Sequence, residues 1–174
     1  MADTEARDRL QPALLDRLVR DGAIGESGAR VISKAEMRAA VLRDLSWLFN
    51  AVQPHPDWEE THPTLVGTVL NYGMPPLAGK QASKVDVSRL ERTIAETIKH
   101  FEPRILPHTL VVSAMEPNSV MDTHNVIEFE IRGHLWAQPV PLEILLRTKL
   151  DLEAGQVDVR EAAGPSTPSA ARNR

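Results

Sequence analysis

The strongest constraint on this chain is a change of hydrophobic period near residue 103. Before that point the apolar residues recur at helical spacing. After about residue 109 they alternate one by one, as in a half-buried strand. Helices first and strands later imply an α+β fold, with N-terminal helices packed on a C-terminal antiparallel β-sheet and flexible termini. The length of 174 residues suits one such domain with loose ends. The expected division is an N-terminal arm over 1–32, a single α+β domain over 33–160, and a disordered tail over 161–174.

The helical half has clear punctuation. Ser33-Lys34-Ala35-Glu36 fits a capping box, in which hydroxyl and carboxylate satisfy free backbone N–H groups. Met37, Val41, Leu45 and Leu48 then form a buried stripe, so a helix is expected over 33–50. A shorter helix is expected from Pro63, carrying Leu65, Val66, Val69 and Leu70 and stopping at Gly73 in a left-handed cap. A third is expected over 87–101, opened by a second capping box at Ser88-Arg89-Leu90-Glu91, with Leu90, Ile94, Ile98 and Phe101 on one face. Pro103 ends it. In the arm, Leu10, Leu14, Leu15 and Leu18 mark a short amphipathic segment, which packs on its own domain or into a partner.

The strand half reads as follows. Thr109–Met115 is short and β-branched. From Val126 to Trp136, Ile127, Phe129, Ile131 and Leu135 oppose Glu128, Glu130, Arg132 and His134. A second run sets Leu142, Ile144, Leu146, Leu150 and Leu152 against Glu143, Arg147, Lys149 and Asp151. Glu153-Ala154-Gly155 is a hairpin turn leading to Val157 and Val159. Pro139 and Pro141 are expected to interrupt pairing between the two long strands and so expose an edge.

Composition mainly excludes. The absence of cysteine removes disulfides, thiolate metal sites and a cysteine nucleophile. A formal charge of -4 with 4% aromatics argues against a nucleic-acid binder. The polar N-terminus and the short apolar runs give no export signal and no bilayer span, so a cytoplasmic protein without membrane insertion is expected. No cofactor is expected, because phosphate-binding glycine motifs are absent. His55, Asp57, Glu59, Glu60 and His62 crowd one loop, but their spacing matches no helical metal pair and reads as a solvated acidic loop. Glu102 is the most conspicuous acid for a glycosidase-type pair, yet Arg104 is a natural ion-pair partner, which works against a proton donor.

Six stretches in order carry a family resemblance: Leu14-Leu15-Asp16-Arg17-Leu18, Val41–Asn50, Val69–Pro75, Phe101-Glu102-Pro103-Arg104, Phe129–Ala137 and Leu146–Glu153. Together they resemble the TssE family of type VI secretion baseplate subunits, a branch of the phage baseplate-wedge family often labelled lysozyme-like. The resemblance implies a structural, non-enzymatic subunit of the baseplate wedge, beside TssF, TssG and TssK at the inner-membrane-docked baseplate. It also implies a link to the sheath proteins TssB and TssC, with the sheath beginning to polymerise there. The residues expected to meet partners are Leu14, Leu15, Asp16, Arg17 and Leu18 in the arm, Glu102, Pro103 and Arg104 at the helix end, and Arg147, Lys149 and Asp151 on a strand. Glu102-Pro103-Arg104 has an alternative reading as an internal ion pair pinning helix to sheet. The functional alternatives are a muramidase acting through Glu102 and a non-secretory adaptor using the sheet edge.

Overall fold

A computed structural model describes residues 13–19, 32–55, 57–78, 85–115, 125–137 and 140–162. Its elements are α1 (Leu14–Val19), α2 (Lys34–Asn50), α3 (Trp58–Thr61), α4 (Val87–Phe101), β1 (Val111–Ala114), β2 (Val126–Leu135), β3 (Leu142–Asp151) and β4 (Gln156–Glu161). The strands form one antiparallel sheet in the order β1-β2-β3-β4. Helices precede strands and the class is α+β. Of the tail expected over 161–174, Glu161 is the last residue of β4, and residues 163–174 lie outside the described residues.

The start of α2 follows from its capping box. Ser33 Oγ accepts from the Glu36 N–H at 3.1 Å, and Glu36 Oε2 accepts from the Ser33 N–H at 2.8 Å. Met37, Ala40, Val41, Leu45, Leu48 and Phe49 are its buried face. Helix α4 has the expected span but a different cap. Asp86 is the N-cap and accepts from the Arg89 N–H at 3.0 Å, so the box placed at Ser88 does not form. A short carboxylate one residue before the helix is the better placed acceptor.

The helix expected from Pro63 is replaced by two 3-10 turns, Pro63–Leu65 and Val69–Asn71. Val69 and Leu70 are exposed, so that stretch has no buried stripe to hold a longer helix together. Gly73 is needed for another reason. Its φ is +125°, and a Cβ there would stand 2.4 Å from the Ala51 carbonyl oxygen. That close approach lets Met74 donate to Ala51 O and Gln53 donate to Met74 O, both at 2.8 Å, which ties the segment back to the end of α2.

The sheet's inner face meets α2 and α4. Phe129, Ile131 and Leu135 of β2, Ile144, Leu146 and Leu150 of β3, and Val159 of β4 join Leu45, Leu48, Leu90, Ile94 and Ile98 in one core. Strands β2 and β3 pair without a break, from Val126 opposite Asp151 to Leu135 opposite Leu142. The break in pairing expected from Pro139 and Pro141 is therefore absent from the two strands; Pro139 itself lies outside the described residues. Pro141 lies before the first residue of β3, where the missing N–H removes no ladder bond. The actual edges are β1 and β4. The first strand is also shorter than expected, because Pro107–Thr109 forms a 3-10 turn ahead of it. The turn after β3 is built by Asp151, whose Oδ1 accepts from the Glu153 and Ala154 N–H groups at 2.8 and 3.0 Å.

One polar residue interrupts the inner face. Thr148 is buried opposite Phe129 and Val159, its hydroxyl finds no hydrogen-bond partner, and it lines an apolar pocket with Phe49, Met74 and Leu150. A buried unpaired hydroxyl costs on the order of 1–3 kcal/mol. The substitution Thr148→Val is expected to raise stability by about 1 kcal/mol, read from the denaturant midpoint at unchanged slope. A lower midpoint would show that the hydroxyl is satisfied in solution.

Candidate functional site

The most organised polar group joins the end of α4 to α2. Helix α4 closes with the Glu102 N–H donating to Ile98 O at 2.8 Å. Glu102 O then accepts from the Ile105 N–H at 3.1 Å, a β-turn with Pro103 at its second position, where the fixed φ of proline suits the turn. The turn brings the Arg104 side chain back onto Glu102. Arg104 Nε donates to Glu102 Oε1 at 2.6 Å and Nη2 donates to Oε2 at 2.5 Å, a fork on both carboxylate oxygens. The same Nη2 donates to Asp44 Oδ2 at 2.6 Å.

The chain of alternating charge continues. Arg43 Nε donates to Asp44 Oδ1 at 2.9 Å, and Arg43 Nη1 donates to Asp16 Oδ1 of α1 at 2.5 Å. The guanidinium of Arg43 lies 5.0 Å from the Trp47 ring centroid, and Trp47 is half-exposed. Asp16, Arg43, Asp44, Arg104 and Glu102 thus link α1, α2 and the end of α4. Glu102 is 3% exposed, whereas its neighbours in the network are partly solvated. Burial works against the charge of Arg104, but the hydrogen bonds and negative charge of Glu102 and Asp44 outweigh it and raise its pKa. The bond to Asp16 is the largest reason that Arg43 is raised as well.

The backbone beside Arg104 is stitched to the sheet. Trp136 N–H donates to Arg104 O at 2.7 Å, Leu106 N–H donates to His134 O at 2.9 Å, and Ile105 bridges to Leu135. The internal reading of Glu102-Pro103-Arg104 is the arrangement present: a pin between helix end and sheet. Only Pro103 of the three is exposed.

The other expected contact residues fall on two surfaces. In α1, Leu15 and Leu18 are exposed at 42% and 66%, and Asp16 is engaged by Arg43. Leu14 and Arg17 belong to the helix, and their side chains lie outside the described residues. Arg147 and Lys149 are exposed on the outer face of the inner strand β3, opposite Glu130 and Glu128 in register. Asp151 ends the same row, occupied by the turn it caps. The α1 surface adjoins the ion network through Asp16, whereas Arg147, Lys149 and Asp151 make no bond to it.

The histidine loop has a different organisation from a ligand cage. His55 stacks on Trp58 at 4.2 Å and 12°, and His62 is tilted against the same ring at 6.1 Å. Among the described residues, no three His, Asp or Glu side chains are grouped as a metal ion would need. No helix among them is long and apolar enough to cross a membrane.

Sequence reasoning missed Asp44 and Asn71. Asp44 sits in the helical stretch as one of two adjacent opposite charges, with nothing local to mark it as the shared acceptor. Asn71 is 1% exposed, and its Oδ1 accepts from the His55 N–H at 3.3 Å. It precedes Tyr72, which packs edge-on against Phe101 at 5.3 Å, and then Gly73. The run Asn71-Tyr72-Gly73, where the expected helix stops, was the available signal for this corner.

Residues 35–140 match the family described as baseplate wedge protein gp25, which is more than half of the 174-residue chain. The chain belongs to the baseplate wedge protein gp25 family. The matched span runs from α2 through β2 and contains the whole ion network except Asp16. Strands β3 and β4 and the arm helix α1 lie outside it. No curated protein and no solved structure gives a significant match.

The network generates two expectations. Replacing Arg104 by alanine strands the buried Glu102 carboxylate, and loss of one partner of a buried pair costs about 3–5 kcal/mol. Arg104→Ala should therefore unfold at clearly lower denaturant than the native chain, whereas a change under about 1 kcal/mol would mean that solvent replaces the guanidinium freely. The second concerns Tyr72, the sole tyrosine. Burial raises its pKa, and the charges of Asp44 and Glu102 add to the rise. The folded state thus favours the neutral phenol. That contribution to stability is complete below pH of about 10 and is lost as pH rises through the folded-state value. Tyrosinate absorbance should show a native midpoint above about 10, falling to about 10 in guanidinium. Equal midpoints in both conditions would contradict the assignment.

Proposed function

We propose that the chain is a structural subunit of a type VI secretion baseplate, one that links the wedge to the contractile sheath and starts sheath polymerisation. Membership of the baseplate wedge family carries this reading. The TssE-like resemblance, which extends into β3, narrows it to the type VI branch. The wedge neighbours are TssF, TssG and TssK, and the sheath partners are TssB and TssC. The subunit works in the cytoplasm, at a baseplate docked on the inner membrane, with neither nucleic acid nor lipid among its ligands.

In this role Glu102 and Arg104 act indirectly. They fix the junction from which Pro103 and the end of β2 project, and partner contact falls to the exposed apolar side of α1 and to the outer face around Arg147, Lys149 and Asp151. A rigid scaffold presenting charged surfaces suits specific assembly, because charge complementarity fixes register and rejects wrong neighbours. A muramidase role for Glu102 is opposed by geometry: both of its oxygens accept from Arg104, and almost none of the residue is accessible to a sugar.

Two measurements test the proposal. The full chain should co-purify with TssF and TssG and support sheath formation with TssB and TssC, and failure in both would remove the assignment. The double substitution Arg147→Glu with Lys149→Glu changes only exposed side chains. It should leave the melting temperature within a few degrees and reduce capture of wedge or sheath by roughly tenfold or more. Unchanged capture would take the outer face of β3 out of the interface.

A further inference from the structure

An edge strand presents a row of unpaired N–H and C=O groups, a template on which another strand can add. In β4 these groups belong to alternate residues. Ala162 N–H donates to Leu145 O at 2.8 Å, so Gln156, Asp158 and Arg160 turn their main chain toward β3. Val157, Val159 and Glu161 turn theirs outward.

The outward groups of Val157 are already taken. Asn50 Nδ2 donates to Val157 O at 2.8 Å, and Val157 N–H donates to Asn50 Oδ1 at 2.9 Å. One carboxamide therefore makes both bonds that a neighbouring strand residue would make. Asn50 Nδ2 also donates to Ser46 O at 2.8 Å, which holds the amide in place at the end of α2. At the other end of the edge, Arg38 holds the Glu161 side chain at 3.0 Å. None of the described side chains takes the main-chain groups of Val159.

The sequence of β4 is self-complementary. An antiparallel pairing of two β4 strands about Val159 sets Val157 opposite Glu161 and, on the exposed face, Asp158 opposite Arg160. Within one chain Asp158 and Arg160 already attract each other at 2.7 Å. Opposite charges directly across a strand pair favour the register. Asn50 occupies the Val157 groups in both copies, which removes the two outer hydrogen-bonded pairs and leaves only the central Val159 pair.

We propose that the Asn50 carboxamide guards the β4 edge against pairing with the β4 edge of a second copy of this chain. The inference rests on the geometry of α2 and β4 and is independent of the baseplate assignment. The side chain closes an edge that would otherwise join two copies into a continuous sheet.

The test compares the full-length native chain with Asn50→Ala by sedimentation over a range of matched concentrations, with circular dichroism to confirm folding. The variant should shift toward dimer as concentration rises while the native chain does not. Adding Arg160→Glu, which puts like charges opposite each other at the new interface, should restore native behaviour. A folded Asn50→Ala that sediments as the native chain does would overturn the proposal, as would association that persists with Arg160→Glu. Should Asn50→Ala fail to fold, amide exchange in the native chain decides. The Val157 N–H, held by Asn50, should exchange on the order of tenfold more slowly than the Val159 N–H. Equal rates for the two amides would overturn it.

Discussion

One guanidinium ties the end of α4 both to α2 and, through its own backbone, to the end of β2. Arg104 binds both oxygens of buried Glu102 and one of Asp44, while its own carbonyl accepts from Trp136. A carboxylate as buried as Glu102 is tolerable only with a partner of this kind, since isolated charge in the interior is strongly disfavoured. The consequence runs in both directions. The pairing closes the end of α4, and Leu90, Ile94 and Ile98 of that helix lie in the core with the inner face of the sheet. Helix α2 joins through Asp44, and α1 through Asp16 by way of Arg43, so one set of alternating charges links three helices.

The fold was legible in the sequence wherever local chemistry and burial agreed. Ser33 and Glu36 announced α2, and the alternation around Phe129 and Leu146 announced β2 and β3. The family resemblance was legible too, and the wedge-family match covers its middle portion. What escaped was decided by contacts between distant residues. Val69 and Leu70 have helical spacing but nothing packs against them, so the local pattern produced only 3-10 turns. Gly73 is conspicuous in the sequence as a helix stop, yet its role depends on Ala51, far away in sequence. Pro141 suggested a break in pairing because proline lacks a donor, and its position just outside the strand made that irrelevant. The site was half visible: Glu102-Pro103-Arg104 stood out, but whether it pointed inward or outward turned on Asp44, which no spacing rule connects to it.

The surfaces left for other molecules are correspondingly few. The outer face of the sheet sets Glu128 and Glu130 of β2 opposite Lys149 and Arg147 of β3, with Arg132, Glu143 and Asp151 nearby, so it carries many charges of nearly cancelling sign. Such a face is well hydrated alone and selective in company. The sheet edges are less open than strand order suggests, because Glu91 of α4 accepts from the outward Ala114 N–H of β1 at 2.7 Å, as Asn50 does on β4. A helix side chain thus stands at each end of the sheet.

The unbroken register of β2 and β3 has a mechanical meaning. Tension applied along these two strands in opposite directions loads their whole ladder at once, and the hydrogen bonds must shear together. Tension applied across them would open the ladder one pair at a time. Resistance to force is set by the barrier to unfolding rather than by equilibrium stability. The resistant axis of this sheet is therefore the strand direction, from Val126 to Leu135, and the weak one lies across it.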